Sequence, residues 1–215
     1  MKEQLLQTIR THKLIAIVRG AAPETCLQIA EALYAGGFRL REITYDQRRP
    51  ETWEQTAQTI GAVAKATEGR MEIGAGTVTC TELVELTHRY GGKFIISPDT
   101  NEAVIRRTCQ LGMVSIPGAL TPTEVMTAHR AGADFVKLFP AGNLGAGYIK
   151  AVTAPLSHIP LLVVGGVDET NIKTFLASGA IGAGIGGSLV KTAWVKAGQY
   201  EKITEAARLL VDAAM

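Results

Sequence analysis

The chain has 215 residues, 47 % of them hydrophobic and 20 % charged, with a formal net charge of +2 at pH 7. So many apolar residues can bury a large core, and mixed charges with no basic block longer than Arg48-Arg49 argue against a nucleic-acid or membrane-surface protein. No run approaches the roughly 18 uninterrupted apolar residues of a spanning helix, and no signal-peptide core follows the charged start Met1-Lys2-Glu3-Gln4.

Taken in chain order, an N-terminal helix is followed by eight short apolar runs. These are Leu14–Val18, Leu40–Thr44, Met71–Ala75, Phe94–Ser97, Met113–Ile116, Phe135–Leu138, Leu161–Val164 and Ile181–Ile185. Amphipathic segments lie between them, with recognisable starts and stops. Pro23-Glu24-Thr25 opens a helix that closes at Gly36-Gly37, and Thr81-Glu82 lies near the start of one ending at Gly91-Gly92. Thr121-Pro122-Thr123-Glu124 opens another that closes at Gly132, and Asp168-Glu169 begins one closing at Gly179. Eight consecutive βα units without a linker predict one α/β domain over residues 1–215, a (β/α)8 TIM barrel with an N-terminal helix. The rival is an open doubly wound sheet. Its nucleotide signature, Gly182-Ala183-Gly184-Ile185-Gly186-Gly187, falls on the last strand, with too little chain after it for a βαβ unit.

In such a barrel, chemistry gathers where strands run into the βα loops. Unusual polar residues and glycines fall there: Arg19 after the first run, Glu42 and Thr44 in the second, Thr77 after the third and Ser97-Pro98 after the fourth. Pro117-Gly118 follows the fifth and Lys137-Leu138-Phe139-Pro140 closes the sixth. Gly165-Gly166 and Gly186-Gly187-Ser188 follow the seventh and eighth. Strand periodicity puts Phe135, Lys137 and Phe139 on one face, Val136 and Leu138 on the other, and both faces are oily. Burial favours the neutral amine of Lys137, a nucleophile towards a carbonyl carbon; the alternative is a lysine snorkelling past a strand end or paired with a carboxylate. Glu42 shares its face with Leu40 and Thr44, within reach of a proton relay or of a purely structural ion pair. Thr77 follows two glycines that let a small ligand approach, though its hydroxyl could equally cap the next helix. The paired glycines suit a phosphate held on backbone N–H groups, or tight turns.

The histidines (His12, His88, His129, His158) are scattered and lack ligand spacing, so neither a metal nor a cofactor is expected. Cys26, Cys80 and Cys109 are read as small buried apolar groups of a protein in the reducing cytoplasm.

From about Lys13 onward the sequence resembles the class I 2-keto-3-deoxy-6-phosphogluconate (KDPG) / 4-hydroxy-2-oxoglutarate (KHG) aldolase family. The motifs are Arg41-Glu42-Ile43-Thr44, Gly74-Ala75-Gly76-Thr77-Val78, Ile96-Ser97-Pro98, Ile116-Pro117-Gly118, Val136-Lys137-Leu138-Phe139-Pro140, Val164-Gly165-Gly166-Val167 and Ile185-Gly186-Gly187-Ser188. The resemblance implies a Schiff base on Lys137 and Glu42 as general acid/base. Thr77 would help hold the pyruvate carboxylate, Pro98 and Phe139 would line the substrate site, and Gly165, Gly166, Gly186, Gly187 and Ser188 would hold a phosphate. It further implies cleavage of a phosphorylated keto acid to pyruvate and glyceraldehyde 3-phosphate by a cytoplasmic homotrimer. The alternatives are an unphosphorylated-substrate aldolase acting on 4-hydroxy-2-oxoglutarate, a barrel epimerase or synthase, and a non-catalytic phosphosugar-binding barrel.

Three positions depart from the family pattern. Asp46 stands where gluconate-type members carry a carboxylate-binding arginine, a cation that Arg19 could supply. Val164 replaces a threonine, as in the phosphogalactonate branch, and Asp99 replaces a glycine.

Overall fold

The computed structural model describes residues 2–215, so Met1 of the expected N-terminal helix lies outside the described residues. The first half runs α1 (Lys2–His12), β1 (Leu14–Val18), α2 (Pro23–Ala35), β2 (Leu40–Thr44), α3 (Trp53–Ala66), β3 (Glu72–Gly76), α4 (Thr81–Arg89), β4 (Phe94–Ile96) and α5 (Glu102–Gln110). It continues as β5 (Val114–Ile116), β6 (Gly118–Ala119), α6 (Pro122–Arg130), β7 (Val136–Leu138), α7 (Ala141–Thr153), β8 (Leu161–Val164) and α8 (Ile172–Ala177). It ends with β9 (Gly182–Ile185), α9 (Thr192–Lys196) and α10 (Tyr200–Ala214).

Every strand pair is parallel, in the order β5-β4-β3-β2-β1-β9-β8-β7-β6. The eight apolar runs give nine segments because the fifth stave continues beyond its run as β6, separated from β5 by Pro117, which has no N–H for a ladder. The ring nevertheless closes at this seam. The N–H groups of Phe135, Lys137 and Phe139 donate to the carbonyls of Ser115, Pro117 and Ala119 at 3.2, 2.9 and 3.1 Å. The result is an eight-staved parallel barrel, as the βα spacing predicts.

Two apolar layers follow from the period of two along each strand. Ile15, Leu40, Phe94, Ile96, Val114, Ile116, Phe135 and Leu162 fill the barrel, joined by Leu5 and Ile9 of α1. Leu40 and Phe94 are the first residues of their strands, so α1 plugs the end where strands begin and leaves the opposite end for polar residues. The outward residues of the same strands, such as Ala16, Ile43, Ile95, Val136, Leu138 and Val163, pack under the helices. Each large apolar side chain so buried contributes roughly 1.5–3 kcal/mol. Arg41 also faces outward and is fully buried; its Nη1 donates to the Cys26 carbonyl at 2.6 Å.

Local signals are met closely in places. Thr121 caps α6 in a capping box with Glu124, a device worth about 1 kcal/mol. Other expectations need correction. α8 begins at Ile172, not Asp168, because the Asp168 carboxylate accepts from the N–H and hydroxyl of Thr170 and holds residues 168–171 as a turn. Of the cysteines only Cys26 is buried; Cys80 and Cys109 are half-buried, and all three are free. His129 and His158, far apart in sequence, meet edge-on at 5.4 Å between ring centroids. Among the described residues no cluster of three or more His, Cys, Asp or Glu side chains could hold a metal, and no helix is long and apolar enough to cross a membrane.

Candidate active site

β2 and β7 stand four strands apart in either direction around the ring, so Glu42 and Lys137 enter the barrel from opposite walls. The strand period aims both inward: Phe135, two residues before Lys137, and Leu40, two before Glu42, belong to the interior cluster. Both charged side chains are buried, Glu42 2 % and Lys137 7 % exposed. Burial holds the Lys137 amine below the usual lysine range. Glu42 opposes that shift, Arg19 adds to it, and Asp99 opposes it again. Burial likewise raises the Glu42 carboxyl to about 7, against the pull of Lys137 and then Arg19. The acid so tuned can change protonation near neutrality, as general acid/base chemistry requires, and the amine is shifted towards its neutral, nucleophilic form.

The room between them is polar and uncommitted. Glu42 Oε2 and Thr44 Oγ1 are buried without a hydrogen-bond partner among the described residues, as expected where a substrate supplies the missing donors. Gly76 on the neighbouring strand clears the space, because a Cβ there would overlap the Glu42 carboxylate. The Phe139 ring forms one wall, its centroid 4.8 Å from Lys137 Nζ, and stays partly exposed at the mouth.

Arg19, exposed after β1, reaches over the end of β9, with Nη1 3.4 Å from where a Cβ on Gly186 would stand. Its positive charge acts on both Glu42 and Lys137. Thr77 follows β3 in the left-handed region at φ 56°, a conformation that costs a non-glycine residue on the order of 1–3 kcal/mol. Its hydroxyl does not cap α4, whose N-cap is Cys80 without a side-chain bond. Pro98, also exposed, packs its carbonyl against Gly118.

The glycine loops divide by conformation. Gly165 and Gly166 have φ of 89° and 70°, which only glycine adopts freely, whereas Gly186 and Gly187 keep negative φ. Gly166 also lies against Gly142 of α7, and Gly142 N–H donates to the Gly165 carbonyl at 2.7 Å. The backbone N–H groups of Gly165, Gly166, Gly187 and Ser188 donate to no carbonyl among the described residues. The Ser188 hydroxyl donates to the Val167 carbonyl at 2.9 Å and so ties the two loops together. Asn171 braces the same loop, giving its side-chain N–H to the Gly166 carbonyl and accepting from Asp168 N–H. Sequence reading misses Asn171, which carries no motif signal. The G-x-G-x-x-G pattern proves to be strand: Gly182 and Gly184 stand in β9, paired with Leu162 and Val164.

A groove of about 480 Å³ opens at the other end of the barrel, beside the starts of β8 and β9, lined in part by Arg10, Lys150 and His158. It contains neither Lys137 nor Glu42.

Known proteins share both the sequence pattern and the fold. The family described as KDPG and KHG aldolase matches residues 5–206. The 2-dehydro-3-deoxy-6-phosphogalactonate aldolase of Escherichia coli K12 is 39 % identical over 179 residues, 83 % of this chain and 84 % of that one. The KHG/KDPG aldolase of the same organism is 32 % identical over 209 residues, 96 % of this chain and 94 % of that one. A solved structure described as native KDPGal superposes with a TM-score of 0.84 at 37 % identity, covering 93 % of each chain.

Proposed function

Because the chain belongs to the KDPG and KHG aldolase family, we propose that it is a class I aldolase, a lyase that cleaves a 2-keto-3-deoxy-6-phospho-sugar acid to pyruvate and glyceraldehyde 3-phosphate. The observation that carries this reading is the buried Lys137–Glu42 pair, converging from opposite walls below a rim of unpaired backbone N–H groups.

In this scheme the neutral Lys137 amine adds to the C2 ketone, and Glu42 gives a proton to the departing hydroxyl as water leaves, forming an iminium. Glu42, now a carboxylate, takes the C4 hydroxyl proton directly or through water. The C3–C4 bond breaks, its electrons pass to the iminium nitrogen, and the aldehyde departs. The same carboxyl then protonates C3 of the remaining enamine, and hydrolysis of the new imine releases pyruvate and restores the amine. Thr77 and Arg19 bind the keto-acid carboxylate, with Pro98 and Phe139 as walls. The N–H groups of Gly165, Gly166, Gly187 and Ser188 bind the phosphate; Gly186 keeps the space under Arg19 open.

The 39 % identity to a phosphogalactonate aldolase, with Val164 at the end of β8, favours the galactonate configuration. The family resemblance supports a homotrimer, which light scattering would check, and three free cysteines suit the cytoplasm. The decisive test is borohydride reduction in the presence of pyruvate. A covalent adduct is expected on Lys137 and none in Lys137→Ala, and an unlabelled wild type at saturating pyruvate would end the proposal. Retro-aldol rates on the gluconate and galactonate phosphates, run in parallel, identify the preferred substrate.

A further inference from the structure

We propose that Gln47 is a positioning residue that holds Thr77 in the conformation in which it binds the substrate carboxylate; this rests on the reading of Thr77 as part of that carboxylate site. Thr77 is β-branched, yet its φ of 56° lies in the left-handed region, which such residues avoid. Something must supply the compensating interactions. Gln47 supplies two: its side-chain N–H donates to the Thr77 carbonyl at 2.7 Å, and its side-chain oxygen accepts from the Thr79 hydroxyl at 2.8 Å. The amide thus grips the loop at residue 77 and again at residue 79. Only a side chain carrying both a donor and an acceptor can make this pair of bonds, so an ionised glutamate keeps one at most.

The loop that presents Gln47 is itself braced. Asp46 accepts from the Arg48 N–H at 2.9 Å and from Arg49 Nε at 2.8 Å, and its carbonyl accepts from Trp53 Nε1 at 3.0 Å. The carboxylate at the position of the missing arginine is therefore spent on folding its own turn. That turn carries the next residue across to the end of β3. On the other side of Thr77, neither its N–H nor its hydroxyl has a partner among the described residues, which leaves both for a ligand. Position 46 therefore offers the substrate carboxylate no cation, and that charge is left to Arg19. The neighbouring threonine is instead fixed from behind, before substrate arrives.

The test measures two quantities in the full chain: the pyruvate concentration giving half-maximal borohydride labelling of Lys137, and kcat for retro-aldol cleavage. Gln47→Leu should raise the first about tenfold while the labelling plateau and kcat stay within about threefold of wild type, since ground-state and transition-state binding weaken together. In a Thr77→Gly background the same Gln47→Leu change should have an effect of about threefold or less, because the residue it acts through is gone. An unchanged half-saturation in Gln47→Leu, or a full tenfold effect in both backgrounds, overturns the proposal. Should Gln47→Leu fail to fold, Gln47→Glu keeps the size and the Thr79 bond while setting a negative charge against the Thr77 carbonyl. It should shift half-saturation in the same direction, and wild-type behaviour would refute the idea. Labelling of the wild type is the separate control: its absence takes down the aldolase reading itself, whereas its presence with unaltered variants removes only the role of Gln47.

Discussion

Gly76 faces the Glu42 carboxylate so closely, across the β2–β3 pairing, that a Cβ in its place would overlap the carboxylate carbon. The absent Cβ leaves the acid room inside the barrel. Gly76→Ala must therefore push Glu42 from its position or distort β3. Overpacking of this kind costs roughly 1–3 kcal/mol, and a displaced general acid/base costs roughly a further 10²–10⁴-fold in kcat on general grounds. Circular dichroism melting together with retro-aldol kinetics checks this. A variant with wild-type kcat would show that the carboxylate is not held where the chemistry needs it.

Glu42 makes stability depend on pH in an unusual direction. Its folded value of about 7 lies above the unfolded value near 4.5, so between these limits the folded protein keeps a proton that the unfolded chain has released. Stability on this account is full below about pH 4.5 and falls as pH rises through 7. The loss is on the order of 3 kcal/mol, since one pH unit between the folded and unfolded values is worth about 1.4 kcal/mol. Glu42→Gln removes the titration. It should be nearly inactive, and more stable than wild type at about pH 8 by that order, with the gain vanishing towards about pH 4.5 in urea titrations.

Asp99 supplies negative charge that partly offsets the depression of the Lys137 amine. Asp99→Asn withdraws that support for the ammonium form, so the amine becomes neutral at lower pH. The acid limb of the kcat/KM profile should move to lower pH, with the fold unchanged. A limb shifted upward, or one that does not move, would separate Asp99 from Lys137 electrostatically.

The loop after β8 provides a separation of binding from chemistry. Gly166, at φ 70° and against Gly142, tolerates no Cβ without a shift of the loop. Gly166→Ala should raise KM for the phosphorylated substrate at least about tenfold, as expected for loss of oriented donors to an anion. Pyruvate labelling of Lys137 should be retained, because that reaction uses no phosphate. Equal losses in both assays would place the defect at the lysine end instead.

Much of this is legible before folding. The limits of Leu14–Val18 and Leu161–Val164 can be read directly because a doubly covered strand is apolar on both faces, and Lys137 stands out because it interrupts such a run. Ser188 is visible as the residue after a glycine pair, but the tie its hydroxyl makes to Val167 is not, since that partner lies on another βα unit. Asn171 and Gln47 leave no trace in the sequence: each acts on a backbone carbonyl, and a carbonyl is available at every residue. The start of α8 is misread because Asp168 can cap a helix or close a turn, and only its neighbours Thr170 and Asn171 decide between them.

The sequence by itself determined the repeating βα order, the side of each strand that faces inward and the type of group carried there, because strand periodicity and apolar burial are local properties of the chain. Tertiary structure alone decided that β5 and β6 join across Pro117 to close the ring, that Glu42 and Lys137 converge from opposite walls, and that Thr77 is held from behind by Gln47. These depend on distances between residues remote in sequence, and such distances exist only once closure of the barrel has fixed each strand against its neighbours.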